Sequence, residues 1–148
     1  MKYLTEITVE VPLAEFIKKF DNPENMKLWQ KDLISVEHLS GIPGKEGAQM
    51  ELHYKMGKRE IVMIETILKR NLPHEFHGTY DAKGVHNIVK NYFKSLGENS
   101  TKWIVESEFQ FSGFFMKMMA FLMPGAFKKQ TLKFMRDFKN FAEGNTNS

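Results

Sequence analysis

The sequence contains no cysteine. That excludes a disulfide framework, a thiolate metal site and a thiol nucleophile, and it fits a reducing compartment. A membrane-spanning stretch is also missing. The most apolar segment, residues 114–123, is about half the roughly 20 residues that a bilayer requires. The opening Met1-Lys2-Tyr3-Leu4-Thr5-Glu6 lacks the apolar centre of a signal peptide, so a cytoplasmic location is expected. Charge is not segregated: the net value is +3 and the lysines are spread along the chain, which does not indicate a nucleic-acid partner. A Gly-x-Ser-x-Gly elbow, a P-loop and a dinucleotide-binding glycine fingerprint are all absent. No cofactor is expected.

What is present in excess is soft apolar mass. Ten methionines and thirteen phenylalanines stand among 148 residues. Both side chains fill irregular, adaptable space, so the excess is read either as a soft core or as a cavity for a greasy ligand. The remaining balance, 42% apolar and 26% charged, is that of an ordinary globular chain. The length fits one domain over residues 1–143, with 144–148 expected to be a flexible polar tail.

The C-terminal quarter organises the chain. After Pro124, a period of about 3.6 residues puts Phe127, Thr131, Phe134, Met135, Phe138, Phe141 and Ala142 on one stripe. Lys128, Lys129, Lys133, Arg136 and Asp137 fall opposite, and only Leu132 is out of place. Gly144 is a stop signal. Residues 114–123 carry one charge, Lys117, and are apolar on every side. Such a helix needs cover all round, from core, partner, membrane or bound ligand. Pro124-Gly125 predicts a kink or hinge, so this segment is either a lid over a cavity mouth or a bent helix packed on the sheet.

Upstream, Tyr3 to Val11 alternates as a half-buried strand. Pro12 opens a short helix through Leu13, Phe16, Ile17 and Phe20, and Asn22 can cap a second one ending at Trp29. Six strands follow over 34–40, 48–56, 59–68, 74–82, 85–96 and 101–112. Gly57-Lys58 is a two-residue hairpin loop with Gly at its first position, which sets Tyr54 opposite Ile61, Leu52 opposite Met63 and Met50 opposite Glu65. Carrying that face onward selects Phe76, Gly78 and Tyr80, then Asn87, Val89, Asn91 and Phe93, and then Trp103, Val105, Ser107, Phe109 and Phe111. The predicted architecture is α+β, a long terminal helix on one face of a curved antiparallel sheet.

Several of these features together resemble the SRPBCC superfamily, the START-like, helix-grip group that includes polyketide cyclase-like, ubiquinone-binding and Bet v-type allergen proteins. They are Ile7-Thr8-Val9-Glu10-Val11-Pro12 leading into a short helix, the turn Leu72-Pro73, Trp103 in the last strand, and Ser112-Gly113 opening the Phe/Met-rich helix. The resemblance spans about residues 2–142. It implies a curved seven-stranded antiparallel sheet around the long C-terminal helix, two short helices after the first strand, and a deep apolar cavity for lipids, hormones or polycyclic molecules. The glycine-rich loop of the plant members is not matched by Gly41-Ile42-Pro43-Gly44-Lys45-Glu46-Gly47, so phosphate-related activity is not carried over.

Glu65 is the most informative candidate. It is predicted to face inward among Met50, Met63 and Tyr80, where a carboxylate must be paired or protonated; a raised pKa there makes a general acid or base, while a bond to Tyr80 alone would only prop the sheet. Asn87 and Asn91 would orient a carbonyl or hydroxyl of a ligand, or bridge core waters. Tyr54, Phe76, Trp103 and Phe109 would be the walls, closed from the helix side by Phe115, Met119 and Phe127. His74 and His77, three apart on a strand, point to opposite faces, so no metal site is expected. The leading expectation is a carrier or sensor that binds a small apolar ligand without turning it over. The alternatives are a cyclase- or dehydratase-like enzyme with Glu65 as acid/base, and an interaction module in which 114–123 meets a protein or, transiently, a membrane. The chain is expected to be a monomer or homodimer.

Overall fold

A computed structural model of the chain describes residues 1–144. The predicted tail, past Gly144, lies outside the described residues. Strand β1 (Lys2–Val9) delivers the chain to Pro12, whose φ of −58° lets its carbonyl accept the first bond of α1 (Leu13–Phe20). Asn22 Oδ1 accepts from the Glu24 amide at 3.0 Å and caps a 3-10 turn, Pro23–Asn25, that runs into α2 (Met26–Trp29). Six strands follow: β2 (Leu33–Ser40), β3 (Gln49–Met56), β4 (Arg59–Asn71), β5 (Glu75–Ala82), β6 (Val85–Gly97) and β7 (Ser100–Phe111). They form one antiparallel sheet in the order β1-β7-β6-β5-β4-β3-β2. Two helices close the chain, α3 (Phe114–Leu122) and α4 (Pro124–Ala142), and no helix is long and apolar enough to cross a membrane among the described residues.

The hairpin at Gly57-Lys58 has positive φ, 65°, at Gly57 only, the pattern of a II′ turn. It gives the predicted pairs Tyr54–Ile61, Leu52–Met63 and Met50–Glu65. The register carries across the sheet without a slip at this level, so His38, Met50, Glu65, Tyr80, Asn87 and Phe109 form one row over six strands. A bulge at Leu68 lies beyond that row and extends β4 to Asn71, three residues further than the predicted end at 68. Past the bulge, Arg70 stands opposite Phe76 and binds Asp21 at the end of α1 with both guanidinium nitrogens.

Helix α4 lies along the edge strand β1 and in the same direction. Tyr3 Oη donates to the Phe127 carbonyl at 2.9 Å and lies 2.7 Å from Thr131 Oγ1; from Thr131 onward, Thr5 Oγ1 meets Met135 Sδ at 3.3 Å, Lys139 Nζ donates to the Thr8 carbonyl at 2.8 Å, and the Glu10 amide donates to Glu143 at 2.7 Å. Each four-residue step on the helix, about 6 Å, meets two or three residues of strand, about 7–10 Å, so the two elements stay in step. At the C-terminal end of this alignment Phe16, Trp103, Phe138, Met135 and Val9 are completely buried. Phe16 contacts Phe93, Trp103 and Phe138 with ring centroids 5.2, 5.7 and 4.8 Å apart, so this end is a packed aromatic core.

The long helix predicted after Pro124 is present, and the kink predicted at Pro124-Gly125 is a full break. Met123 leaves helical geometry at φ −131°, ψ 55°, and Pro124 begins a new helix, where its missing N–H costs nothing. The fold itself does not cover every side of 114–123. Only Met116, Met119 and Ala120 turn inward, Met116 lying against Gly84, where a Cβ would sit 2.7 Å from its Cγ. The other face of α3 is open.

Candidate functional site

The inner face of β3 to β6 beyond the aromatic core is not covered by α4, and its side chains are only half-buried: Met50, Tyr54, Met63, Tyr80 and Asn87 all retain exposure. Alternation along each strand puts these groups on one surface, and the unbroken register puts Glu65 in its middle. Glu65 is 7% exposed. Tyr80 Oη donates to its Oε2 at 2.7 Å. Gly78, two residues earlier on the same face, lies beside that phenol: a Cβ there would be in ordinary contact with the Tyr80 ring and hydroxyl at 3.7–3.8 Å and would crowd the Thr66 carbonyl at 3.2 Å.

No cation lies within ion-pair distance of Glu65 among the described residues. Burial therefore pushes its carboxyl above the ordinary carboxylate range, and the hydrogen bond from Tyr80 only partly offsets this. Burial and the neighbouring Glu65 charge in turn raise the Tyr80 and Tyr54 phenols, so both remain protonated donors. Tyr54 Oη donates to Gln30 Oε1 at 2.7 Å, which ties the site to the end of α2. Asn87 Oδ1 accepts from Ser107 Oγ at 3.0 Å, and its Nδ2 makes no hydrogen bond among the described residues. The side-chain polar atoms that are sealed and make no hydrogen bond there are Trp29 Nε1 and His77 Nε2, the latter 3.3 Å from Glu75 Oε2. Glu65 Oε1 and Asn87 Nδ2 are not among them, so both touch open space. The arrangement offers an apolar trough with a protonatable acid, two phenols and a free amide donor along its floor.

The structure divides the predicted site residues into three groups. Met50, Tyr54, Met63, Glu65, Tyr80 and Asn87 share the open floor, with Phe109 and Phe127 at its α4 side, their tilted rings 4.9 Å apart. Trp103 and Asn91 belong instead to the closed core. Trp103 Nε1 donates to Asn91 Oδ1 at 2.9 Å and Asn91 Nδ2 donates to the Phe76 carbonyl at 3.0 Å, so both polar groups are spent on the protein; Phe76 itself meets Phe20 at 6.2 Å. Phe115 does not line the floor either: it is 69% exposed because α3 turns Met116, Met119 and Ala120 inward instead. The best-formed hollows also lie elsewhere. One is bounded by Lys45, Glu46, Arg70, Asn71 and Leu72, the other by Leu13, Ile17, Leu72 and Pro73. Neither hollow is bounded by the predicted floor residues, and the inner face of β3–β6 is part-exposed where the resemblance implied a deep chamber.

Sequence reasoning missed His38 and Gln30. His38 stands on the inner row next to Met50, but β2 carries irregularities at residues 34 and 39, and strict alternation cannot be carried through them. Gln30 lies in the loop after α2, where no periodicity applies. His77 faces outward beside Glu75 and Tyr92, away from the trough.

No family model matches the sequence, and no curated protein matches it. Solved structures do match. A START superfamily protein from Mycobacterium smegmatis superposes with a TM-score of 0.78 at 12% identity, covering 98% of this chain and 99% of that one. An aromatase/cyclase from a Streptomyces species gives 0.78 at 11%, covering 100% and 96%. Norcoclaurine synthase from Thalictrum flavum, solved with dopamine and hydroxybenzaldehyde, gives 0.73 at 9%, covering 100% and 89%. Superposition over nearly the whole of each chain shows that the protein adopts the START-like, helix-grip fold.

Proposed function

We propose that the protein is a carrier or sensor that holds a small, largely apolar ligand on the inner face of β3–β6, with Glu65, Tyr80 and Asn87 fixing its polar end. The observation that carries this reading is Glu65. A carboxyl that is 7% exposed, bonded to one phenol and without a cation is costly to a fold that gains nothing from it. Apolar floor and few convergent polar groups are the usual make-up of a ligand site. Binding would bury apolar area at about 25 cal/mol per Å² before entropic costs. Neighbours of the same fold include a synthase solved with two small aromatic molecules, which supports a ligand of that size and character.

Displacement of a fluorescent apolar probe by fatty acids and polycyclic aromatics tests this. Binding that weakens in Glu65→Gln and Asn87→Leu supports it; equal binding in wild type and both variants overturns it. A second reading, an enzyme of the cyclase or dehydratase type, is favoured by the raised carboxyl of Glu65 opposite two protonated phenols. It requires turnover that Glu65→Gln abolishes while ligand affinity persists.

A further inference from the structure

The outward face of α3 has no cover. Phe114, Phe115, Phe121 and Leu122 are 79%, 69%, 83% and 66% exposed, and Met118 is 43% exposed. At helical spacing these five side chains fill one continuous arc of roughly 120°. The three phenyl rings alone place roughly 350–550 Å² of apolar surface in water, taking about 150–250 Å² for each whole side chain. That equals the largest patch of an ordinary monomer before Leu122 and Met118 are added.

Charge decides what fits this face. From Phe109 to Arg136 the chain has no Asp or Glu, but it has Lys117, Lys128, Lys129, Lys133 and Arg136. Lys133 is paired with Asp137 at 2.9 Å; the other four have no ion pair among the described residues. Lys117 borders the apolar arc directly, and Lys128 and Lys129 follow within the first turns of α4. A second copy brought face to face would set these cations against one another. A surface of anionic headgroups over acyl chains complements both the rings and the cations.

We propose that α3 docks the protein on anionic lipid bilayers, lying in the plane of the interface with its phenyl rings at the headgroup–acyl boundary and Lys117, Lys128 and Lys129 on lipid phosphates. At nine residues α3 is too short to do more than lie there. This proposal does not depend on the ligand reading, because the rings concerned point away from the trough.

Flotation with vesicles of phosphatidylcholine, with and without phosphatidylserine, tests it. The wild type floats with the mixed vesicles, is released by raised salt, and binds the neutral vesicles weakly. Phe114→Ser/Phe121→Ser lowers partitioning at least about tenfold. Lys117→Glu/Lys128→Glu/Lys129→Glu lowers it about 100-fold on the mixed vesicles and little on the neutral ones. All these side chains are exposed, and an unchanged thermal melt confirms intact folds. No flotation of the wild type, or flotation indifferent to both variants, overturns the proposal. So does a lipid-free dimer that Phe114→Ser/Phe121→Ser dissolves, which would assign the face to a second copy.

Discussion

The two ends of the space between sheet and helices are built from similar residues and behave oppositely. At the end beneath α1, α2 and the C-terminal half of α4, Phe16, Trp103 and Phe138 are completely enclosed. At the other end Phe109, Phe111 and Phe127 lie with ring centroids 4.9–5.9 Å apart yet stay part-exposed. The difference is what covers them. The first end is roofed by α1, α2 and α4 together; the second has only the start of α4, and α3 swings off past Met123 toward Gly84. Aromatic content alone therefore does not separate core from site. The polar groups do: at the closed end Asn91 and Trp103 satisfy each other, and at the open end Glu65 and Asn87 retain unused capacity.

The comparison is sharpest in a stability scan. Phe138→Ala, at the centre of the closed end, is expected to cost about 3–5 kcal/mol in chemical denaturation, since α4 and β1 are pinned together and cannot collapse into the cavity. Phe111→Ala at the open end should cost about 1 kcal/mol, because half its transfer free energy is never gained. Equal losses would mean that the open end closes in solution. Asn91→Leu should come between, at about 1–3 kcal/mol, as it leaves the Trp103 indole N–H buried without an acceptor.

Glu65 gives the comparison a pH axis. Its folded-state pKa lies above the ordinary value of 4.5, so its contribution to stability is fully present below that value and is lost as pH rises through the folded value. Glu65→Gln cannot ionise and should escape this loss. The two proteins should melt alike near the ordinary carboxylate pKa. Above it the variant should gain on wild type by at most about 1.4 kcal/mol per pH unit across the titration. Tyr80→Phe, by removing the bond that holds the carboxyl down, should move the wild-type loss to higher pH. A Glu65→Gln difference that is flat with pH would place the carboxylate in solvent.

The sheet was legible because its turns announce themselves. Gly57-Lys58 alone sets three cross-strand pairs, and the alternation carries them to Phe111 with no slip before the inner row is complete. That is why Glu65, Tyr80 and Asn87 could be put on one face from residue order. What was not legible depends on three-dimensional cover. Trp103 and Phe109 look alike in sequence, six residues apart and of the same parity on β7, yet one is sealed by three helices and the other by the edge of one. The exposed side of α3 was unreadable for the same reason: nine apolar residues in a run of ten say that cover is wanted, not whether the fold supplies it. In β2 two irregularities erase the parity, and with it the place of His38.

The smallest expected effect tests the open end most directly. Phe115 is an aromatic residue in a helix, the type of side chain whose truncation is costly when buried. At 69% exposure it gives up little apolar area on folding, and it meets none of the stacked rings. Phe115→Ser should therefore change stability by less than about 0.5 kcal/mol. Serine also lowers helix propensity only slightly relative to phenylalanine, so α3 has no second reason to unravel. A loss above about 1 kcal/mol would require that α3 packs its phenyl rings against the trough in solution. The two ends would then be equally closed, and Glu65 would be sealed beneath a lid rather than open on one side.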